Sequence, residues 1–333
     1  MSPGDPSIWF CATGKTGLGH LRRCSTVARA LQELAPRTPV GLATNAAIAG
    51  LEPADRAAFA VIETMEREDI GRGIAGRGHG PAVADTAVLL GLEALERPLV
   101  LILRETPADR VERFRLERGR PWDLVIVPNP QDHWLPEFGS DFARTVSPVG
   151  WIYRASVNPA RPARASLRVL VATGGGGTAK TAGALRAEID PVIAAARRMA
   201  RRPFTVVQAI GPRAAPEGRL GEADESLDPG GELDREFGRA DIVISTAGYN
   251  SVLELALTTV PALLVAIPRN IDDQAARARL WGPRLGATHL PGDTAASAAW
   301  LAGCIDAAKR RPAWDLGPSG GAAAARLIRD LAP

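Results

Sequence analysis

Short, nearly continuous apolar runs recur along the chain at Ile8–Ala12, Leu99–Leu103, Leu124–Val127, Arg168–Ala172, Phe204–Gln208, Asp241–Ser245 and Ala262–Ile267. Runs of this length without polar alternation predict strands covered on both faces, as in a parallel sheet. Amphipathic stretches lie between them. In Leu21–Leu34 the residues Leu21, Cys24, Ala28 and Leu31 recur at helical spacing, and Ala182–Met199 reads the same way. Strand alternating with helix on this scale predicts a doubly wound α/β fold. Arg154–Ala163 breaks the pattern with two prolines and no apolar period, and a fresh strand follows it. This stretch is read as the linker between an N-terminal domain at 1–160 and a C-terminal domain at 161–318. Residues 319–333 are left as a terminal helix, read over Ala322–Leu331 after the Gly317–Gly321 turn. Each half opens with a strand, a glycine-rich turn and a helix, so two similar lobes facing a central cleft are expected.

Composition agrees with two ordinary globular lobes. At 333 residues, 46% apolar and 23% charged, the chain exceeds one domain of the usual ~100–200 residues and can bury a core in each half. No window holds the roughly 18–20 uninterrupted apolar residues that span a bilayer. Met1–Pro6 lacks the basic and apolar regions of a secretory signal. No transmembrane segment and a cytoplasmic location are therefore expected. Cys11, Cys24 and Cys304 are odd in number and show no CxxC spacing, against a disulfide framework and against zinc. Net charge is +3, and all but 3 of the 40 basic residues are arginine. With no block of like charges, this bias predicts no nucleic-acid partner, while a basic chain leaves peripheral membrane contact open.

The candidate chemistry lies in three small-residue turns. The first runs through Gly14-Lys15-Thr16-Gly17-Leu18-Gly19-His20, directly after a strand and opening a helix. Glycines let a backbone approach a ligand closely, and a helix N-terminus favours an anion. Gly14-Lys15-Thr16 imitates the end of a phosphate-binding P-loop, but the position of that loop's first glycine is Trp9; the spacing GxxGxG also differs from the dinucleotide GxGxxG. Neither ATP nor NAD is supported. His20, in the first helical turn, faces the strand C-terminal edge where open α/β sheets bind ligands, and an imidazole near its usual pKa of about 6.5 can accept a proton. A helix-capping role is the plainer alternative for it. His79, His133 and His289 lie outside any such strand–turn–helix context.

The second turn, Thr173-Gly174-Gly175-Gly176-Gly177-Thr178, again joins strand to helix and could admit a phosphate. The third is richer. Asp241–Ser245 runs into Thr246-Ala247-Gly248, and a helix begins near Tyr249-Asn250-Ser251. Asn250 and Glu254, at i and i+4, share a face of that helix, which puts a carboxylate one turn from its N-terminus. Asp273 and Gln274 follow the next strand.

The order Ala247-Gly248-Tyr249-Asn250-Ser251, Glu254, Val260-Pro261-Ala262, Asp273-Gln274 resembles the C-terminal half of GT-B glycosyltransferases of family 28, typified by the lipid-linked N-acetylglucosaminyltransferase of peptidoglycan synthesis. Within that family it looks closest to bacterial predicted glycosyltransferases with a Gly-Tyr-Asn-Thr turn. Gly17-Leu18-Gly19-His20-Leu21-Arg22-Arg23 is similar to the N-terminal motif of the same group. With Arg23 and Cys24 it also resembles the Gly-x-Gly-His-x-x-Arg-Cys motif of the UDP-sugar hydrolase of pseudaminic acid synthesis.

The resemblance implies a GT-B fold of two Rossmann-like lobes and an inverting glycosyltransferase with a UDP-sugar as co-substrate and no metal or other cofactor. In that reading Glu254 takes the ribose. Gly17, Gly19, Gly174, Gly175, Gly176, Thr178, Thr246, Ala247, Gly248, Tyr249, Asn250 and Ser251 form the diphosphate turns. Asp273 and Gln274 meet the donor sugar, and His20 deprotonates an acceptor hydroxyl. The hydrolase resemblance implies an alternative in which His20 activates water. A binding protein that keeps the fold without catalysis is a third reading. Gln274 is followed by Ala275 where the family 28 prototype has a second glutamine, so sugar preference does not carry over. The acceptor is unknown: Gly71–Gly80 reads equally as an acceptor loop or a surface connection, and Arg104 and Glu105 end a strand where cleft residues would sit.

Overall fold

The computed structural model describes residues 6–13, 18–45, 53–85, 91–116, 119–135, 137–154, 166–172, 179–211, 216–230, 232–267 and 272–332. Gly17, Gly174, Gly175, Gly176 and Thr178 lie outside the described residues. Two compact units emerge. One is built from the chain up to Arg154 together with Gly317 onward, and the other from the intervening chain up to Leu316.

The first unit is a seven-stranded sheet of β1 (Ile8–Ala12), β2 (Val40–Thr44), β3 (Val61–Thr64), β4 (Ala82–Asp85), β5 (Leu99–Ile102), β6 (Leu124–Val127) and β7 (Val146–Pro148). Its order is β3-β2-β1-β4-β5-β6-β7, and every pairing is parallel. The second unit repeats the scheme with six strands: β8 (Leu167–Ala172), β9 (Phe204–Ala209), β10 (Glu225–Leu227), β11 (Ile242–Thr246), β12 (Ala262–Val265) and β13 (Gly286–His289). They are ordered β10-β9-β8-β11-β12-β13, again all parallel. Strand order reverses between β1 and β4 in one sheet and between β8 and β11 in the other. Open α/β sheets bind ligands at such switch points, beyond the strand C-terminal ends.

The helices are α1 (Gly19–Leu34), α2 (Pro53–Arg56), α3 (Ile70–Ile74), α4 (Ala108–Val111), α5 (Ala179–Met199), α6 (Leu233–Arg239), α7 (Tyr249–Ala256), α8 (Gln274–Leu285), α9 (Thr294–Ala307) and α10 (Gly321–Arg329). α1 buries the predicted helical stripe of Leu21, Cys24, Ala28 and Leu31, together with Val27, in one core with Ile8, Phe10 and Val83.

The same core holds Ala324, Ala325 and Ile328 of α10, so the terminal helix completes the first unit. A short strap brings it there. Gly320 donates to the Trp151 carbonyl at 2.8 Å, Ser319 Oγ donates to the Tyr153 carbonyl at 2.8 Å, and the Tyr153 hydroxyl donates to the Gly317 carbonyl. A Cβ at Gly320 would stand 2.4 Å from the Val149 carbonyl oxygen and 2.6 Å from that of Gly150, so the strap passes where only glycine fits.

The segment Gly71–Gly80 lies away from the ligand edge where an acceptor loop would stand, and it is a docked surface connection. α3 occupies its start, and the remainder docks at the N-terminal ends of the strands. Trp9 Nε1 donates to the Arg77 carbonyl at 3.0 Å, and the buried Arg97 donates to the carbonyls of Ile74, Arg77 and Gly78. Trp9 lies early in β1 and Arg97 just precedes β5, which puts this loop at the edge opposite His20.

Candidate functional site

In the first unit the site grows from the switch point. β1 and β4 are neighbours, with Asp85, the last residue of β4, opposite Ala12, the last of β1. α1 starts just beyond β1, so His20 in its first turn and Arg23 one turn on share a face that meets the end of β4. Three contacts close the cluster. His20 Nδ1 lies 2.5 Å from Asp85 Oδ1, Arg23 Nη2 donates to the same Oδ1 at 2.5 Å, and Arg23 Nε donates to Oδ2 at 2.6 Å. Asp85 and Arg23 are almost wholly buried, while the His20 side chain keeps 18% exposure.

Burial alone would push the Asp85 carboxyl up, but the Arg23 cation and His20 outweigh it and hold the group below the usual range. Asp85 is therefore ionised and can only accept hydrogen bonds. Burial lowers His20, with the cations of Arg23 and Arg104 adding to it against the opposing pull of Asp85. At neutral pH the imidazole is neutral, and its Nδ1 must carry the proton given to Asp85. Nε2 then bears the lone pair, the state a general base requires.

Asp85 is absent from the sequence reading because a lone acid ends a run of small residues, Ala82-Val83-Ala84. A usable signal was present: an arginine one turn after His20, on a helix otherwise buried on that face, needs an acid partner.

Beside Arg23, the same strand edge gathers the other two weak candidates, Arg104 and Glu105. Arg104 follows β5, and its charge reaches His20. Glu105 accepts from a histidine the sequence had set aside: His133 Nε2 lies 2.9 Å from Glu105 Oε1, and its ring packs edge-on against Trp151 at 4.7 Å between centroids.

In the second unit, Thr246, Ala247 and Gly248 lead from β11 into α7, with Gly248 at the N-cap in extended conformation. Gly248 has no side chain to offer the first turn, and no acidic residue lies in that turn. Glu254 is buried in the second turn of α7, while Asn250 and Ser251 stay partly exposed. Asp273 caps α8, its Oδ1 accepting from Ala276 N–H at 2.9 Å, and Gln274 Nε2 donates to Asp272 Oδ2 at 3.0 Å.

Arg277, unmarked in the sequence, binds these parts together. Almost fully buried, it donates through Nη1 to the Ala247 carbonyl and to Asp272 Oδ1, both at 2.9 Å, and its guanidinium lies 5.9 Å from the Tyr249 ring centroid. The predicted set Ala247, Tyr249 and Gln274 is thus brought to one place around a residue from α8.

Other reactive types are structural. Cys11 and Cys24 are buried thiols, the first pushed up to about 12 by burial, which removes the thiolate needed for nucleophilic chemistry. His289 is fully buried between Ser297 Oγ at 2.8 Å and Glu188 Oε2 at 3.1 Å. Among the described residues no group of three or more His, Cys, Asp or Glu could hold a metal ion, and no helix is long and apolar enough to cross a membrane.

No family model and no curated protein matches the chain. Solved structures match over nearly its whole length. MurG of Acinetobacter baumannii superposes with a TM-score of 0.51 at 15% identity, covering 98% of this chain and 100% of its own. The glycosyltransferase SnogD from Streptomyces nogalater gives 0.56 at 16%, covering 98% and 99%. Spinosyn rhamnosyltransferase SpnG complexed with thymidine diphosphate gives 0.53 at 17%, covering 97% and 95%. These neighbours are GT-B glycosyltransferases, and the two parallel-sheet α/β units have that fold.

Proposed function

We propose that the protein is an inverting glycosyltransferase of the GT-B type that moves a sugar from a nucleoside-diphosphate sugar to an acceptor hydroxyl. The observation that carries this is the His20–Asp85 pair at the first switch point, a neutral imidazole whose Nε2 is left to accept a proton. In the proposed step His20 Nε2 takes the acceptor's hydroxyl proton and the freed oxygen forms a bond to the anomeric carbon. The bond from that carbon to the diphosphate breaks with its electron pair leaving on the nucleotide. Asp85 stabilises the imidazolium that forms.

The turn Thr246–Ser251 and the N-terminus of α7 are assigned to the departing diphosphate, Glu254 to the ribose, and Asp273 with Gln274 to the donor sugar. Donors of this kind, amide N–H groups and a helix dipole, make a bound metal unnecessary in the reading. The thymidine diphosphate in complex with SpnG supports a pyrimidine nucleotide, with UDP the one proposed for this chain. The reaction is placed in the cytoplasm.

The test follows nucleotide release by phosphorus NMR from UDP-N-acetylglucosamine and a panel of other UDP- and TDP-sugars, with and without hydroxyl acceptors. Acceptor-dependent release that falls by about 10²–10⁴ in His20→Ala, with donor-induced line shifts retained, is expected. Unchanged turnover in His20→Ala would remove His20 as the base, and steady release without acceptor would make the protein a nucleotide-sugar hydrolase.

A further inference from the structure

Asp85 faces two basic groups, and the division of its charge between them has a chemical consequence. Its Oδ1 receives both His20 and Arg23 at 2.5 Å, and its Oδ2 receives Arg23 alone at 2.6 Å. Arg23 Nη2 also stands 3.4 Å from His20 Nδ1. A buried carboxylate paired with histidine alone would favour imidazolium, because the ion pair is strong where water is excluded. A protonated histidine is no base.

We propose that Arg23 is a positioning residue of this site: by holding both oxygens of Asp85 it fixes the plane of the carboxylate and withholds part of its charge, leaving His20 a neutral proton acceptor. The inference rests on His20 being the base, and adds to that reading the device that keeps the base available.

Geometry and charge agree. Arginine is permanently charged and its Nε and Nη2 donors form a rigid fork, so the carboxylate cannot rotate away from the line to Nδ1. That line sets where Nε2 points. Among the described residues three charged groups act on His20: Asp85 from β4 favours its charged form, while Arg23 on α1 and Arg104 after β5 oppose it. Burial and the two cations together prevail, and the imidazole is held below its ordinary range. Lysine in place of Arg23 would supply the charge without the fork.

The experiment is an NMR titration of the full chain with labelled histidine, the His20 signal being assigned by its loss in His20→Gln. Arg23→Met is expected to move the His20 midpoint up from its wild-type position. Arg23→Gln, which keeps a hydrogen bond to Asp85 without the charge, is expected to do the same and serves if the methionine variant does not fold. In Arg23→Lys the midpoint stays closer to wild type.

Acceptor-dependent nucleotide release from UDP-N-acetylglucosamine, with the hydroxyl acceptor that supports turnover in the wild type, is followed over the same pH range. The acid limb of the rate is expected to move up with the midpoint, while the plateau above it is kept. A midpoint that stays or falls in both neutral variants overturns the proposal. A midpoint that rises while the rate profile does not follow upholds the role of Arg23 on the imidazole and instead sinks His20 as the base.

Discussion

Asp85 has two oxygens and receives two basic side chains, so its replacement separates orientation from charge. Asp85→Asn keeps the shape but can offer His20 an N–H in place of an acceptor, which disfavours the tautomer with the proton on Nδ1. Turnover is expected to fall by about 10²–10⁴. Arg23, buried beside it, would lose the charge of this partner, and a buried pair broken from one side costs about 3–5 kcal/mol. Thermal unfolding and steady-state rates of the same variant check both. The pH response follows from the direction of each shift. His20 is held below its ordinary value, so the unfolded chain binds its proton first, and stability falls as pH drops below about 6.5. Asp85 is also depressed, and its contribution, complete above about 3.9, is lost as pH falls through its lower folded value. A melting temperature that declines from pH 7 toward 5 in the wild type, and declines less in His20→Gln, is the expected result. His20 and Arg23 were legible because a glycine turn opening a helix is a local pattern; Asp85 was not, since a strand-terminal acid has no local pattern of its own.

At the scale of elements, a helix N-terminus can receive a diphosphate only if the turn before it is held in place. Arg277 does this from α8, tying the Ala247 carbonyl to Asp272 while most of its own surface is buried. Arg277→Met is expected to leave the Ala247 carbonyl without this donor and Asp272 without its ion pair. Donor affinity, measured by calorimetry with UDP, is expected to weaken at least tenfold, more than for substitution of the half-exposed Asn250. The helix α7 and strands β11 and β12 were legible, as contiguous apolar runs flanking small residues. The binding of α8 onto their turn was not, because Arg277 lies 30 residues from Ala247 and nothing in its neighbourhood marks it as inward-facing. Strand β2 escaped for a related reason. Gly41, its second residue, weakens the apolar run, yet a Cβ there would stand 2.8 Å from the Trp9 ring, so close packing demands what propensity disfavours.

For the whole molecule, the chain leaves the first unit at Arg154 and returns at Gly317 to finish it. Ala324, Ala325 and Ile328 are fully buried in a core otherwise made from the chain before residue 155. Removal of residues 317–333 should therefore expose the α1 face and destabilise the first unit, whereas a cut confined to 329–333 should be mild. Limited proteolysis of the two truncations, read by which half of the chain is degraded first, distinguishes them; equal resistance would show that α10 is dispensable. Legible along the chain were the features written in local patterns: buried strands, the amphipathic α1, the glycine turns, two doubly wound halves and a histidine at the opening of the first helix. Tertiary structure alone decided that Asp85 meets His20 and Arg23 across 65 and 62 residues, that Arg277 locks the α7 turn, and that the final helix belongs to the first unit. Periodicity and glycine spacing reflect backbone and burial preferences of neighbouring residues, whereas a charge partner is chosen by strand order, which brings distant strand ends to one switch point.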